Sequence, residues 1–129
     1  MVNGAITATF VINGEEELII SGRHTEHVMC AKGQDVLSAG EVVFLRDGKE
    51  VYISEISNQS TGYCPKPESW SAVKIALEKI GIDYPEYFTS AYDFRFCYKC
   101  ESINLIKDGI FECLVCDSEL DLEWNFEKQ

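Results

Sequence analysis

The sequence predicts an α+β chain: a mainly antiparallel β-sheet with one main helix over residues 1–93, then a small three-stranded, cysteine-stapled module over 94–129. Three observations predict it. Asn-Gly or Asp-Gly dipeptides stand between β-rich runs at Asn13-Gly14, Asp47-Gly48 and Asp108-Gly109, and such residues accept the positive φ of tight hairpin turns. One stretch after Pro67 carries apolar residues at helical spacing. Four of the six cysteines fall near the C-terminal end as two Cys-x-x-Cys pairs.

Residues 5–12 and 17–21 are the β-rich arms of the first hairpin, and 41–45 and 51–56 those of the second, so four strands form one sheet. Between the hairpins lies a stretch with Arg23-His24-Thr25-Glu26-His27 and Cys30. Its apolar residues follow neither period, and a strand over 28–31 with a short helix or loop near 35–39 is expected. Ser57 to Pro65 is a polar turn segment whose side chains hydrogen-bond backbone groups. Pro67 suits a first helical turn; Trp70, Val73, Leu77 and Ile80 then recur at helical spacing until Gly81 stops the helix. Tyr84, Tyr87, Phe88, Tyr92, Phe94 and Phe96 crowd the next segment around Pro85, as packing that leads to the cysteine module or as a recognition surface.

Composition narrows the function. Of 129 residues 46% are hydrophobic, enough for a real core. The net charge of −11 repels phosphate backbones and anionic membranes and suits a protein partner with a basic surface. Between Cys97 and Cys116 the only cations are Lys99 and Lys107, too few to grip nucleic acid. No signal-peptide pattern opens the chain and no apolar run nears the roughly 18 residues of a membrane span. A soluble cytoplasmic protein with reduced cysteines is the expectation.

Cys97, Cys100, Cys113 and Cys116 have the spacing of metal ligands. Each Cys-x-x-Cys presents two sulfurs from one tight turn, and two such turns complete a tetrahedron around an ion such as Zn2+ at about 2.3 Å, leaving no position for water. Iron fits the same four sulfurs. Residues 103–107 and 110–112 flank Asp108-Gly109 as the hairpin that brings the pairs together, and Leu120, Leu122, Trp124 and Phe126 alternate with Asp121, Glu123, Asn125 and Glu127 as a third strand. Over roughly 94–126 the chain resembles the zinc-ribbon family with rubredoxin-like four-cysteine knuckles. The resemblance implies one structural zinc, with folding of the module tied to the metal by about 10 kcal/mol of binding free energy. The commonest knuckle places Gly after its second cysteine; here Glu101 and Asp117 stand there.

His24, Glu26, His27, Cys30 and Cys64 are the remaining residues that could form a nucleophile and base or a second metal site. On a strand the two histidines face opposite ways, and only a helix would bring them together. Cys64 precedes the main helix, whose N-terminal dipole would lower a thiol pKa, so a thiol-dependent hydrolase or transferase using Cys64 with His24 or His27 is one reading. The segment 39–65 is similar to a segment of bacterial toxin-system and effector-associated proteins of unassigned activity. Those proteins carry a histidine where this chain has Thr61 or Cys64, so the resemblance transfers no site residue. The main reading is a non-catalytic acidic interaction module, with an immunity or inhibitor protein as a concrete form. A third makes the chain a small adaptor subunit with residues 84–96 as its contact face.

Overall fold

A computed structural model describes residues 4–60 and 62–126; Thr61 and Glu127, named above, lie outside them. The chain divides into two units, Met1–Ala91 and Tyr92–Gln129. The α+β class and the one main helix hold.

In the first unit β1 (Gly4–Asn13) runs between β2 (Leu18–Gly22) and β3 (Val36–Asp47), and β4 (Glu50–Ile56) pairs with β3. The order is β2-β1-β3-β4 and each pairing is antiparallel. Both hairpins form, with turns that differ from the dipeptide expectation. In the first, the Asn13 side chain closes the loop: its Oδ1 accepts from the N–H groups of Glu15 at 3.0 Å and Glu17 at 2.9 Å. That leaves the positive φ of 62° to Glu16. In the second, Asp47 still pairs with Glu50, so the turn is Gly48-Lys49, with Gly48 at φ 63°.

The stretch between the hairpins reverses the expectation. Residues 28–31, read as a strand, belong mostly to a one-turn helix, α1 (His27–Cys30), while 36–39, read as helix or loop, open β3. A single helical turn is too short to display a 3.6-residue period, and only Cys30 of it is buried. The start of β3 is fixed by its partner: Val36 pairs with Asn13 and Ser38 with Ile12.

The main helix, α2 (Trp70–Ile80), follows a 3-10 turn at Pro67–Ser69 and ends at Gly81, whose φ of 79° lets its N–H reach the Leu77 carbonyl at 3.1 Å. It buries Trp70, Val73, Ala76 and Leu77 against Ala8, Phe10 and Ile12 of β1, Val42 of β3 and Ile53 and Ile56 of β4. Ile80, expected in that stripe, is exposed. Ile53 and Ile56 are three residues apart and would face opposite ways in a regular strand. A register shift between Val43 and Phe44 inserts Ser54 as an extra residue in β4 and turns both toward the core. On the other side of the sheet Val11, Ala39 and Cys30 form a smaller cluster with Tyr63.

The aromatic segment packs as expected in this unit: Tyr84, Tyr87 and Phe88 lie 6.1, 5.8 and 5.1 Å from the Trp70 ring, centroid to centroid. It also covers the outer edge of β4, where Ile53 N–H donates to the Asp83 carbonyl and Thr89 N–H to the Ile56 carbonyl, each at 2.9 Å. Among the described residues no helix is long and apolar enough to cross a membrane.

In the second unit β5 (Phe94–Phe96) pairs antiparallel with β6 (Ile103–Leu105). Asp108 and Gly109, both at positive φ (55° and 68°), make the expected tight turn, bridged by Lys107 and Ile110. The strand after that turn, expected over 110–112, is absent, and β6 takes β5 as its partner. The third strand expected over 120–126 does not form either among the described residues; a single bridge joins Glu112 to Glu119. The alternation fails at Leu122, which is 74% exposed where Leu120 is 6% exposed.

Candidate metal centre

Each cysteine pair sits in a turn built the same way. In the first, Cys97 N–H donates to the Ser102 carbonyl at 2.9 Å and Glu101 N–H to the Cys97 carbonyl at 2.7 Å. In the second, Cys113 N–H donates to the Ser118 carbonyl at 2.8 Å and Asp117 N–H to the Cys113 carbonyl at 2.9 Å. Glu101 and Asp117 both take φ 63°. The left-handed conformation that glycine supplies elsewhere is thus reached here with a side chain, against a steric cost of about 1–2 kcal/mol, less for Asp.

These turns bring Cys97, Cys100, Cys113 and Cys116 together, with their sulfurs all within 4.8 Å of one another. Cys97 Sγ lies 3.6 Å from Cys116 Sγ, and Cys100 Sγ lies 3.5 Å from Cys113 Sγ. A tetrahedron with sulfur at about 2.3 Å from its centre has edges of about 3.8 Å, so the cluster fits one ion with little adjustment. The donor set is all sulfur, which suits soft or borderline cations. Four cysteines close together can hold one metal ion.

Electrostatics divide the four sulfurs. The Ser102 hydroxyl, ahead of the Cys116 and Val115 N–H groups and the Asn104 amide, outweighs burial and pulls the Cys113 thiol down to about 5. The Ser118 hydroxyl likewise lowers Cys116. At Cys97 the Cys100 N–H works downward, but burial and the neighbouring sulfurs of Cys116 and Cys100 outweigh it, and the thiol stands at about 11. Four sulfurs at these distances cannot all carry charge without a cation among them.

Several residues that shape this centre carried no weight in the sequence reading. Ser102 Oγ lies 3.1 Å from Cys100 Sγ and 3.2 Å from Cys113 Sγ, and Ser118 Oγ lies 3.2 Å from Cys116 Sγ. The repeat Cys-x-x-Cys-acid-Ser, at 97–102 and again at 113–118, was the available signal. Arg95 is buried; it donates to the carbonyls of Phe94, Asp121 and Leu122 at 2.7, 3.1 and 2.7 Å, and its guanidinium carbon lies 5.3 Å from the Phe111 ring centroid.

The other candidates lie in the first unit. His24 is exposed in the turn after β2, outside α1. His27 opens α1 and its Nε2 donates to the Gly40 carbonyl at 2.7 Å. Cys30 is buried, its Sγ 3.7 Å from the Ile19 carbonyl. Cys64 is 2% exposed, and in place of a dipole-lowered thiol, burial pushes it up to about 12. Its backbone stands at φ 47°.

Compared with protein-family models, curated proteins and solved structures, the chain finds no match.

Proposed function

We propose that Cys97, Cys100, Cys113 and Cys116 bind one structural Zn2+, and that the protein is a non-catalytic, acidic, cytoplasmic interaction module whose partner presents a basic surface. The observation that carries the reading is the all-sulfur cluster, with sulfur pairs at 3.5 and 3.6 Å. Four thiolates fill the coordination sphere of zinc and leave no position for a water nucleophile, so the ion would hold structure. Fe2+ would occupy the same sulfurs; the higher intrinsic affinity of Zn2+ than Fe2+ for such a donor set favours zinc.

The net charge of −11 supports the partner half of the proposal. A field of that sign steers basic surfaces and repels nucleic acid and anionic lipid. An immunity or inhibitor protein that covers a basic toxin is its concrete form. Cys64 does no chemistry in this reading, because a thiol held protonated to about 12 is a poor nucleophile at neutral pH.

Native mass spectrometry of tagged protein taken gently from its own lysate tests both halves. The expected spectrum shows one zinc per chain and a stoichiometric companion that dissociates as salt is raised. A folded chain without metal overturns the zinc site. Zinc on a lone monomer at low salt overturns the interaction module.

A further inference from the structure

We infer that Asn104 is the positioning residue of the metal centre, its carboxamide holding the second cysteine turn against β6 and supplying an N–H to the Cys113 sulfur. The inference rests on the reading that the four cysteines bind a metal.

Asn104 is 4% exposed, at the middle of a three-residue strand where an apolar side chain would fill the same volume without desolvating an amide. Its polar atoms are all used, and all on the centre. Oδ1 accepts the Leu114 N–H at 3.0 Å, and Nδ2 lies 3.3 Å from Ser102 Oγ and 3.5 Å from Cys113 Sγ. One side chain therefore touches the residue after Cys113, the sulfur of Cys113, and the hydroxyl that lies between Cys100 and Cys113.

The donors gather unequally. Cys113 Sγ has Ser102 Oγ at 3.2 Å, Val115 N–H at 3.4 Å and Asn104 Nδ2 at 3.5 Å around it. Four thiolates on a divalent ion leave two surplus negative charges, and N–H and O–H donors to sulfur spread that charge while fixing where the sulfur points. Cys113, 1% exposed, has little water to do the same. Asn104 thus does two separable things: it accepts a backbone N–H, and it donates to sulfur.

The substitution Asn104→Asp separates them, since a carboxylate keeps the acceptor for Leu114 but has no N–H and sets a negative charge beside the thiolate. Zinc affinity is measured by competition with a chromophoric chelator for wild type, Asn104→Ala and Asn104→Asp, with Co2+ spectra of each. Affinity is expected to fall on the order of 10–100-fold in both variants, further in Asn104→Asp, with the sulfur-to-cobalt charge-transfer band displaced. Asn104→Asp equal to wild type, with Asn104→Ala weaker, would show an acceptor-only structural role and overturn the inference. An unmoved cobalt band overturns it as well.

Ser102→Ala carries the same test if the Asn104 variants do not fold: about a 10-fold loss is expected, and unchanged affinity overturns the shared donor network. Wild type that takes up no metal, or Cys113→Ser that keeps full affinity, marks failure of the site assignment itself.

Discussion

The Asn125 side chain pairs with Phe96 as a neighbouring strand would: Oδ1 accepts the Phe96 N–H at 2.7 Å and Nδ2 donates to the Phe96 carbonyl at 2.7 Å. A second Nδ2 hydrogen bond, 3.0 Å to Asp121 Oδ2, sets the amide in place, and Tyr98 Oη donates to the Asn125 carbonyl at 2.6 Å. One carboxamide does at the edge of β5 what a third strand was expected to do. Asn125→Ala should cost the second unit about 1–2 kcal/mol, from two half-buried hydrogen bonds lost together. Denaturation of a Trp70→Phe background, in which Trp124 reports alone, measures it. No shift in midpoint would mean that water replaces the amide without loss.

Gly40 lies where the chain leaving β4 crosses β3. A Cβ there would stand 1.8 Å from the Ser57 carbonyl oxygen and 2.6 Å from its carbon, both backbone atoms that cannot turn aside. Gly40→Ala should therefore destabilise the first unit by on the order of 3 kcal/mol, at the upper end for overpacking. Trp70 fluorescence in a Trp124→Phe background reads it, and zinc binding by the second unit should be unchanged. A loss below about 1 kcal/mol would mean that the crossover shifts easily.

What the sequence disclosed follows from how local each signal is. Asp108-Gly109 and Gly81 specify their backbone within a residue or two, and both stand at positive φ as expected. The spacing of the four cysteines alone announces that their sulfurs come together. By contrast, 28–31 and 36–39 exchanged their expected structures because one turn has no period to read and the start of β3 is dictated by β1. The alternation from Leu120 to Phe126 looked like a strand, yet its carbonyls are held by the side chains of Arg95 and Tyr98 and Leu122 faces solvent. Ser102, Asn104 and Ser118 went unread because a serine or asparagine acquires meaning only when a sulfur is placed beside it.

Cys64 should behave as a buried neutral thiol. Burial pushes its pKa up to about 12, while in the unfolded chain it titrates near about 8.5. A thiol that keeps its proton longer when folded supports the fold fully below the unfolded value, and that support is lost as pH rises toward about 12. The first unit should lose stability as pH is raised past about 8.5, with a shallower slope in Cys64→Ala. In the native state at neutral pH, iodoacetamide should modify Cys64 only at the rate of unfolding. Rapid stoichiometric alkylation of the native protein would instead restore Cys64 as a nucleophile.

Glu101 and Asp117 hold equivalent places after the two cysteine turns and share φ 63°, yet they should respond differently to glycine. For Glu101 the left-handed conformation costs about 1–2 kcal/mol, which glycine removes, while glycine's greater freedom in the unfolded chain returns about 0.5–1 kcal/mol. Glu101→Gly should then stabilise the metal-loaded second unit by about 0.5 kcal/mol. Asp adopts this conformation more readily, so Asp117→Gly should be close to neutral. Denaturation midpoints read through Trp124 resolve the pair, with zinc affinity expected to stay within about twofold because neither carboxylate is needed as a ligand. Equal stabilisation at both sites would mean that Asp117 gains nothing from its short side chain; a loss at Glu101 would mean that its side chain makes a compensating contact.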